Sequence, residues 1–284
     1  MIIDPIGINN PLHRWVKDRI EANRNVLSLC VGSTGSGKSY ANLWLAVCLA
    51  KIFGTSFNVD ENVAFSFKEL LNKMKNPKFD GLPGCVFVFE EVGSIASGAA
   101  SRNWQSKANS FFHSYLQTSR HRNQIVLMSC PMLTNLEAGS RNLLHLLIQM
   151  SHVNPQKKMS FAKVFYNQTN SKTGKTYFKF LRYSFLGGKF KYKQHGFKLC
   201  MPEILVPYER DKLAYTTALN KSFFAKTDPK EVKAKKTKDF LRKLKKYAGK
   251  GLSTYDISKL TGVCQSTIMN YIKKEGIKQE SDDI

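Results

Sequence analysis

Gly32-Ser33-Thr34-Gly35-Ser36-Gly37-Lys38-Ser39 satisfies the pattern G-x-x-x-x-G-K-[ST] at every position. The glycines let a backbone curl around a phosphate with its N–H groups turned inward. A helix starting at the end of the loop presents its positive dipole end to the same anion. In such a loop the lysine, here Lys38, reaches the β- and γ-phosphates, and the hydroxyl of Ser39 is a ligand for Mg²⁺. Together with Tyr40, just inside the helix, these eight residues are the expected binding set for ATP with Mg²⁺.

The flanks give the loop its required context. Residues 26–31 (VLSLCV) form a compact apolar run that reads as a strand buried on both faces. Residues 38–53 read as a helix stopped by Gly54. Residues 11–22 read as a short amphipathic helix leading into the domain. Ser66-Phe67-Lys68-Glu69 is a capping box opening another helix to about Met74. After the turn at residues 81–84, residues 85–89 (CVFVF) read as a second buried strand ending in Glu90-Glu91. Two glutamates after a strand are by themselves ordinary solvated surface. About fifty residues beyond a complete phosphate loop they read as a Walker B pair. Glu90 then takes the magnesium position, where the usual acid is Asp, and Glu91 orients or activates the attacking water.

Residues 93–101 are small and polar and read as a loop, and residues 104–118 have helical periodicity. Residues 125–129 (IVLMS) and 143–150 supply two more buried strands. The expected fold is therefore α/β, a mostly parallel sheet covered by helices on both faces, occupying residues 1–225. Within it, residues 161–167 and 177–185 read as a β-hairpin (about 161–185 overall) around the polar turn 171–176. The Gly174-Lys175-Thr176 in that turn lacks the earlier glycine that a second phosphate loop requires. Residues 208–224 read as a closing helix.

Composition shifts at residues 226–250, a lysine-dense segment expected to be a linker or an exposed basic helix. Residues 251–284 read as a small all-α helix-turn-helix module: a helix over 253–260, a tight turn at 261–263, and a helix over 265–274. Ile257, Leu260, Val263, Ile268 and Ile272 are its expected packed side. Its second helix would offer Gln265, Ser266, Thr267 and Asn270 to a major groove, with Lys273 and Lys274 on phosphates. A helical hairpin used only for packing or oligomerisation has the same pattern.

The bulk numbers point the same way. The 284 residues carry 44 Lys and Arg against 21 Asp and Glu, a net charge of +23, which speaks of a polyanionic partner and not of fold. Hydrophobic residues make up 42%, enough for a real core. The six cysteines are scattered, without metal-ligand spacing, and read as reduced buried thiols. The first eleven residues do not resemble a signal peptide, and no apolar run reaches bilayer length. A soluble cytoplasmic protein is expected.

Thr118-Ser119-Arg120-His121-Arg122-Asn123 precedes the third strand and Arg141 follows it. With the two nucleotide motifs, over about residues 26–150, this resembles the FtsK–HerA superfamily of DNA-pumping ATPases. That group includes viral genome-packaging ATPases and zonula occludens toxin-like proteins. The resemblance implies a homo-oligomeric ring acting on double-stranded DNA, with an arginine from a neighbouring subunit completing each ATP site; Arg120, Arg122 and Arg141 are the candidates. If the chain is viral, a capsid or portal is a further expected partner and the host cytoplasm the location. The family commonly ends the strand after Walker B with Gln, whereas this chain has Ser129-Cys130-Pro131, leaving Ser129 as the substitute sensor of the γ-phosphate. Toxin-like relatives typically carry a membrane span after the ATPase domain, and none is read here. The expected function is an ATP-driven DNA translocase serving genome packaging or mobile-element transfer. Two alternatives stay open: an ATP-controlled, sequence-specific DNA-binding switch, and a helicase or replication loader.

Overall fold

A computed structural model describes residues 10–90, 122–136, 138–170, 172–173, 175–185, 188–227 and 229–277. Two compact units emerge, Met1–Lys212 and Leu213–Ile284. The expected loop at 93–101 and helix at 104–118 lie outside the described residues.

The first unit opens with α1 (Pro11–Glu21), where the Asn10 side chain accepts from Leu12 N and Leu12, Val16 and Ile20 form one buried stripe. Then come β1 (Val26–Val31), α2 (Lys38–Phe53), α3 (Val59–Asn62), β2 (Val63–Ala64), α4 (Phe67–Met74) and β3 (Val86–Phe89). The capping box before α4 closes as the sequence pattern requires: Ser66 Oγ accepts from Glu69 N, while Glu69 Oε2 accepts from Phe65 N. β4 (Ile125–Cys130), α5 (Ala138–Leu143), β5 (Leu146–Asn154), β6 (Met159–Thr169) and β7 (Thr176–Phe180) follow. β8 (Arg182–Phe185), β9 (Gly188–Lys191), β10 (His195–Lys198) and the start of α6 (Pro202–Thr227) complete it.

The sheet runs β10-β6-β5-β1-β4-β3-β2, with β7 also on β6. β5, β1, β4, β3 and β2 are parallel; β6, β7 and β10 join antiparallel. β1, β3 and β4 are buried along their whole length because both faces are covered, whereas β5 is exposed at Gln149 and from Ser151 to Val153. On one face Leu27, Leu29, Phe87, Phe89, Val126 and Met128 pack with Leu70 and Met74 of α4. α2 touches the same strands yet contributes nothing to that cluster, so it covers the opposite face. It also touches β10, so the sheet wraps around it. This explains why α2 is apolar all round, with Leu43, Leu45, Ala46 and Leu49 all buried. The result is a mixed α/β architecture with a mostly parallel sheet, compatible with a P-loop NTPase-like fold.

Three expectations are corrected. The strand expected at 143–150 begins at Leu146 because α5 takes Ala138–Leu143. The second arm of the hairpin expected to run to 185 stops at Phe180: Leu181 is buried, and the chain beyond it pairs with β9 instead of β6. In the second unit Leu260 is 62% exposed and is not part of the packed side.

That second unit contains α7 (Pro229–Ala248), α8 (Thr254–Thr261) and α9 (Gln265–Glu275). The lysine-dense segment is thus a helix, and not merely a solvated one. Its Leu244 is fully buried with Ile257 and Ile268, with Phe240, Leu241, Val263 and Ile272 packed around them. Ser253 caps α8, and Gly262 ends it at φ +67°. Of the six cysteines, Cys30, Cys48, Cys85, Cys130 and Cys200 are buried and only Cys264 is exposed; none is in a disulfide. Among the described residues, no helix is long and apolar enough to cross a membrane.

Candidate functional site

β1 ends at Val31 and α2 begins at Lys38, so one short loop must reverse the chain. Two glycines allow it to do so against the neighbouring strands. A Cβ on Gly32 would fall 2.9 Å from Met150 Cβ, and one on Gly37, which sits at φ +83°, would fall 3.0 Å from Ser160 Cβ. Gly37 is also the N-cap of α2, so no side chain caps the first N–H groups of that helix. Lys38 Nζ donates to the carbonyl oxygens of Gly32 and Ser33, both at 2.8 Å. The ammonium therefore clasps the opposite end of its own loop and keeps one of three hydrogens for another acceptor.

Strand order brings the acid to this loop. β4 lies between β1 and β3, with Cys30 paired to Ser129 and Phe89 paired to Met128. Glu90 and Ser129, each one residue further on, therefore come side by side. Glu90 is 1% exposed. Its Oε2 accepts from Ser39 Oγ at 2.9 Å and from Ser129 Oγ at 2.7 Å. One carboxylate oxygen thus joins the end of the phosphate loop to the strand between the two motifs. Burial first, then the Glu90 charge, pushes the Cys30 thiol well up, with Lys38 opposing.

α6 supplies a wall that no motif announced. Tyr208 is fully buried, stacked on Phe65 at 6.0 Å and edge-on to Tyr40 at 6.5 Å. Burial, with Glu90's charge next, raises its hydroxyl, and the Ser39 hydroxyl opposes that shift. The Tyr40 hydroxyl donates to Glu209 Oε1 across 169 residues of sequence. That bond, then burial and the Glu209 charge, pushes Tyr40 up to about 12. Lys212 Nζ lies 5.4 Å from the Tyr208 ring centroid. No local signal marks Tyr208, Glu209 or Lys212 in the sequence, because their relation to the loop is set by the fold alone.

These groups enclose a cavity of about 640 Å³ lined by Thr34, Gly35, Gly37, Lys38, Ser39 and Tyr40 from the loop and α2. Glu90, Ser129, Cys130, Pro131, Asn135, Val153, Glu209 and Lys212 complete it. Gly32, Ser33 and Ser36 belong to the loop but do not line the cavity. The Ser39 hydroxyl and the Glu90 carboxylate are adjacent hard oxygen donors on its wall, a set that suits Mg²⁺ when phosphate oxygens and water supply the rest. Among the described residues no cluster of three or more His, Cys, Asp or Glu could hold a metal.

The remaining expected site residues fall elsewhere. Glu91 and Arg120 lie outside the described residues. Arg122 Nη1 donates to Met74 O at 3.0 Å, and Arg141 on α5 has a buried Nε without a hydrogen-bond partner. Neither lines the cavity. Gln265, Ser266, Thr267, Asn270, Lys273 and Lys274 are all exposed on α9. Gln265 Nε2 donates to Thr254 Oγ1 at the start of α8, and Ser266 Oγ lies 3.0 Å from Cys264 Sγ.

No protein-family model matches the chain, and no curated protein matches it. Among solved structures it is similar to the N-terminal domain of zonular occludens toxin from Neisseria meningitidis. That likeness is 14% identical, with a TM-score of 0.32, over 56% of this chain and 95% of that domain. It is too distant to carry an argument about activity.

Proposed function

We propose that this chain is an ATPase that moves double-stranded DNA, working as a ring in which a neighbouring subunit completes each site. The observation that carries the nucleotide chemistry is the single Glu90 oxygen collecting the hydroxyls of Ser39 and Ser129 beside the Lys38 loop. Ser39 and Glu90 would hold Mg²⁺, which neutralises charge on the β,γ-phosphate oxygens when bound. Lys38 exchanges its loop carbonyls for the γ-phosphate. Glu91 orients the attacking water and accepts its proton. Ser129, bonded to Glu90, reports whether the γ-phosphate is present. An arginine in trans, from Arg120, Arg122 or Arg141, meets the charge of the transferring phosphoryl group. The net charge of +23 and the exposed face of α9 favour DNA as the polymer being moved, in genome packaging or mobile-element transfer.

The test is the steady-state rate of ATP hydrolysis against duplex length and sequence. A translocase gives a rate that rises with length and saturates, whatever the sequence. Stimulation confined to one short site would make the chain an ATP-controlled switch, and absence of hydrolysis would remove the enzyme reading altogether.

A further inference from the structure

From residue 138 to residue 202 the chain contains no aspartate or glutamate and twelve lysines and arginines. At the chain's own average of 21 acids in 284 residues, a stretch this long would hold about five. The stretch holds α5 and β5 to β10: β10, β6 and β5 are consecutive in the main sheet with β7 paired to β6, and β8 and β9 form a separate two-stranded ribbon that follows β7 in the chain. Eleven of the cations, Lys157 to Lys198, are exposed. No ion pair joins any of them to an acid among the described residues.

The local pairing sharpens this. Arg182 stands directly across from Lys191 in the β8–β9 ribbon, an arrangement that costs stability unless an anion lies over it. On β6–β7, Phe165 and Phe178 pack toward the core, while the other face presents Lys179 opposite Tyr166 and a half-exposed Tyr177 opposite Gln168. Cations dominate these surfaces, and the exposed aromatics Tyr177 and Phe190 stand on separate ribbons. That fits repeated phosphate contacts better than a row of stacked bases.

We propose that this acid-free β layer of the first unit is a track for the backbone of double-stranded DNA, so that the ATPase unit holds DNA itself and not only through α9. The inference rests on the DNA-moving reading above and adds the place where the polymer lies. The layer also backs directly onto the phosphate loop: Met150 of β5 closes on Gly32, and Ser160 of β6 on Gly37. A duplex gripped there presses on strands that the loop already touches, a short route from DNA to hydrolysis.

The test uses the full chain and a 30-base-pair duplex of arbitrary sequence. In one variant Lys175, Lys179, Arg182, Lys189 and Lys191 become Gln; in a second, Lys243, Lys246 and Lys250 of the C-terminal unit become Gln. Each cation that meets a phosphate steepens the fall of log K with log salt by about 0.9. The β-layer variant is expected to flatten that slope by about 4.5, keep basal ATP hydrolysis, and lose most of its stimulation by DNA. An unchanged slope in this variant overturns the inference. If the slope then responds only to the second variant, DNA handling survives and the track lies in the C-terminal unit. A wild-type protein that binds no duplex sinks both the inference and the DNA reading, and binding instead to phosphatidylserine vesicles would reassign the layer to a membrane surface. Tighter binding of a single strand through the same five residues overturns the choice of duplex. Should the fivefold variant fail to fold, the pair Arg182→Gln and Lys191→Gln is expected to flatten the slope by about two.

Discussion

Lys38 is held by two carbonyls of its own loop, so its ammonium is positioned before any nucleotide arrives. Lys38→Ala should abolish hydrolysis and weaken binding of a non-hydrolysable ATP analogue at least about tenfold, measured by calorimetry, because the γ-phosphate loses its cation. Ser129 makes a subtler case. Its hydroxyl donates to the oxygen that also serves Ser39, and a hydrogen bond to a charged group is worth about 1.5–3 kcal/mol. Ser129→Ala should lower kcat about tenfold or more with a smaller change in KM. Equal kcat would mean that the hydroxyl only fills space. At this scale the strand, loop and helix that carry Lys38 and Ser39 were legible, because each of these residue types has one physical job. The bond between Ser129 and Glu90 was not legible, since it depends on which strand lies between the two motifs.

The elements divide by how local their signals are. β1, β3 and β4 declare themselves as unbroken apolar runs, and α2 as an apolar helix between a Gly-rich loop and Gly54. β8, β9 and β10 are four residues each, too short for periodicity to mark their ends; β8 and β9 pair with one another and β10 with β6, distant in sequence. α7 is different, since its signal was present and its lysines masked it. Phe240, Leu241, Leu244, Tyr247 and Ala248 fall at i, i+1, i+4, i+7 and i+8, a proper helical stripe. One element-level contact makes a pH prediction. His145 Nδ1 accepts from Leu27 N, fixing the start of β1 to that of β5, and its ring is held to about 3 by burial first and then by Arg19. His195 on β10 is likewise held to about 3, by burial and then by His13. Both are depressed below the unfolded value, so between about pH 6.5 and 3 the unfolded chain binds protons that the fold refuses. Stability is complete above that window and is lost as pH falls through it, by at most about 1.4 kcal/mol per histidine at pH 5.5. His145→Gln keeps an acceptor that cannot titrate. Its urea midpoint should fall less between pH 7.5 and 5.5 than that of the wild type, and an equal fall would exclude His145 as a source.

For the whole molecule, the division at Lys212 and Leu213 puts every residue lining the cavity in the first unit. The core of the second unit, Leu244, Ile257 and Ile268, lies entirely beyond residue 226. Deleting residues 226–284 should therefore leave basal hydrolysis nearly intact and reduce DNA affinity at low salt, read from paired ATPase and binding titrations. Loss of basal activity would show that the site needs the second unit. Assembly makes a separate demand. Arg122 already donates to Met74 O, which leaves Arg141 as the arginine to test first. Arg141→Ala and Lys38→Ala should each be inactive alone and recover part of the activity when mixed. A fully active monomer would dispose of the ring. The composition shift at residue 226 pointed to a separate C-terminal module, although the division falls at Lys212 and Leu213, and the engagement of the arginines, a property of packing, left no local signal.

The cysteine pattern turns the protein into its own reporter. Five thiols are buried, and burial holds those of Cys30, Cys85 and Cys200 protonated. Cys264 is exposed at the N-cap of α9, and its hydrogen bonds with Ser266 and Thr267 lower its pKa. A maleimide dye at neutral pH should therefore attach at one place without any engineering, next to Gln265 and Ser266. Its emission can follow what that helix meets while the ATPase turns over. The other five thiols would react only when the fold opens, so the slow phase of the same labelling reaction clocks unfolding of the first unit.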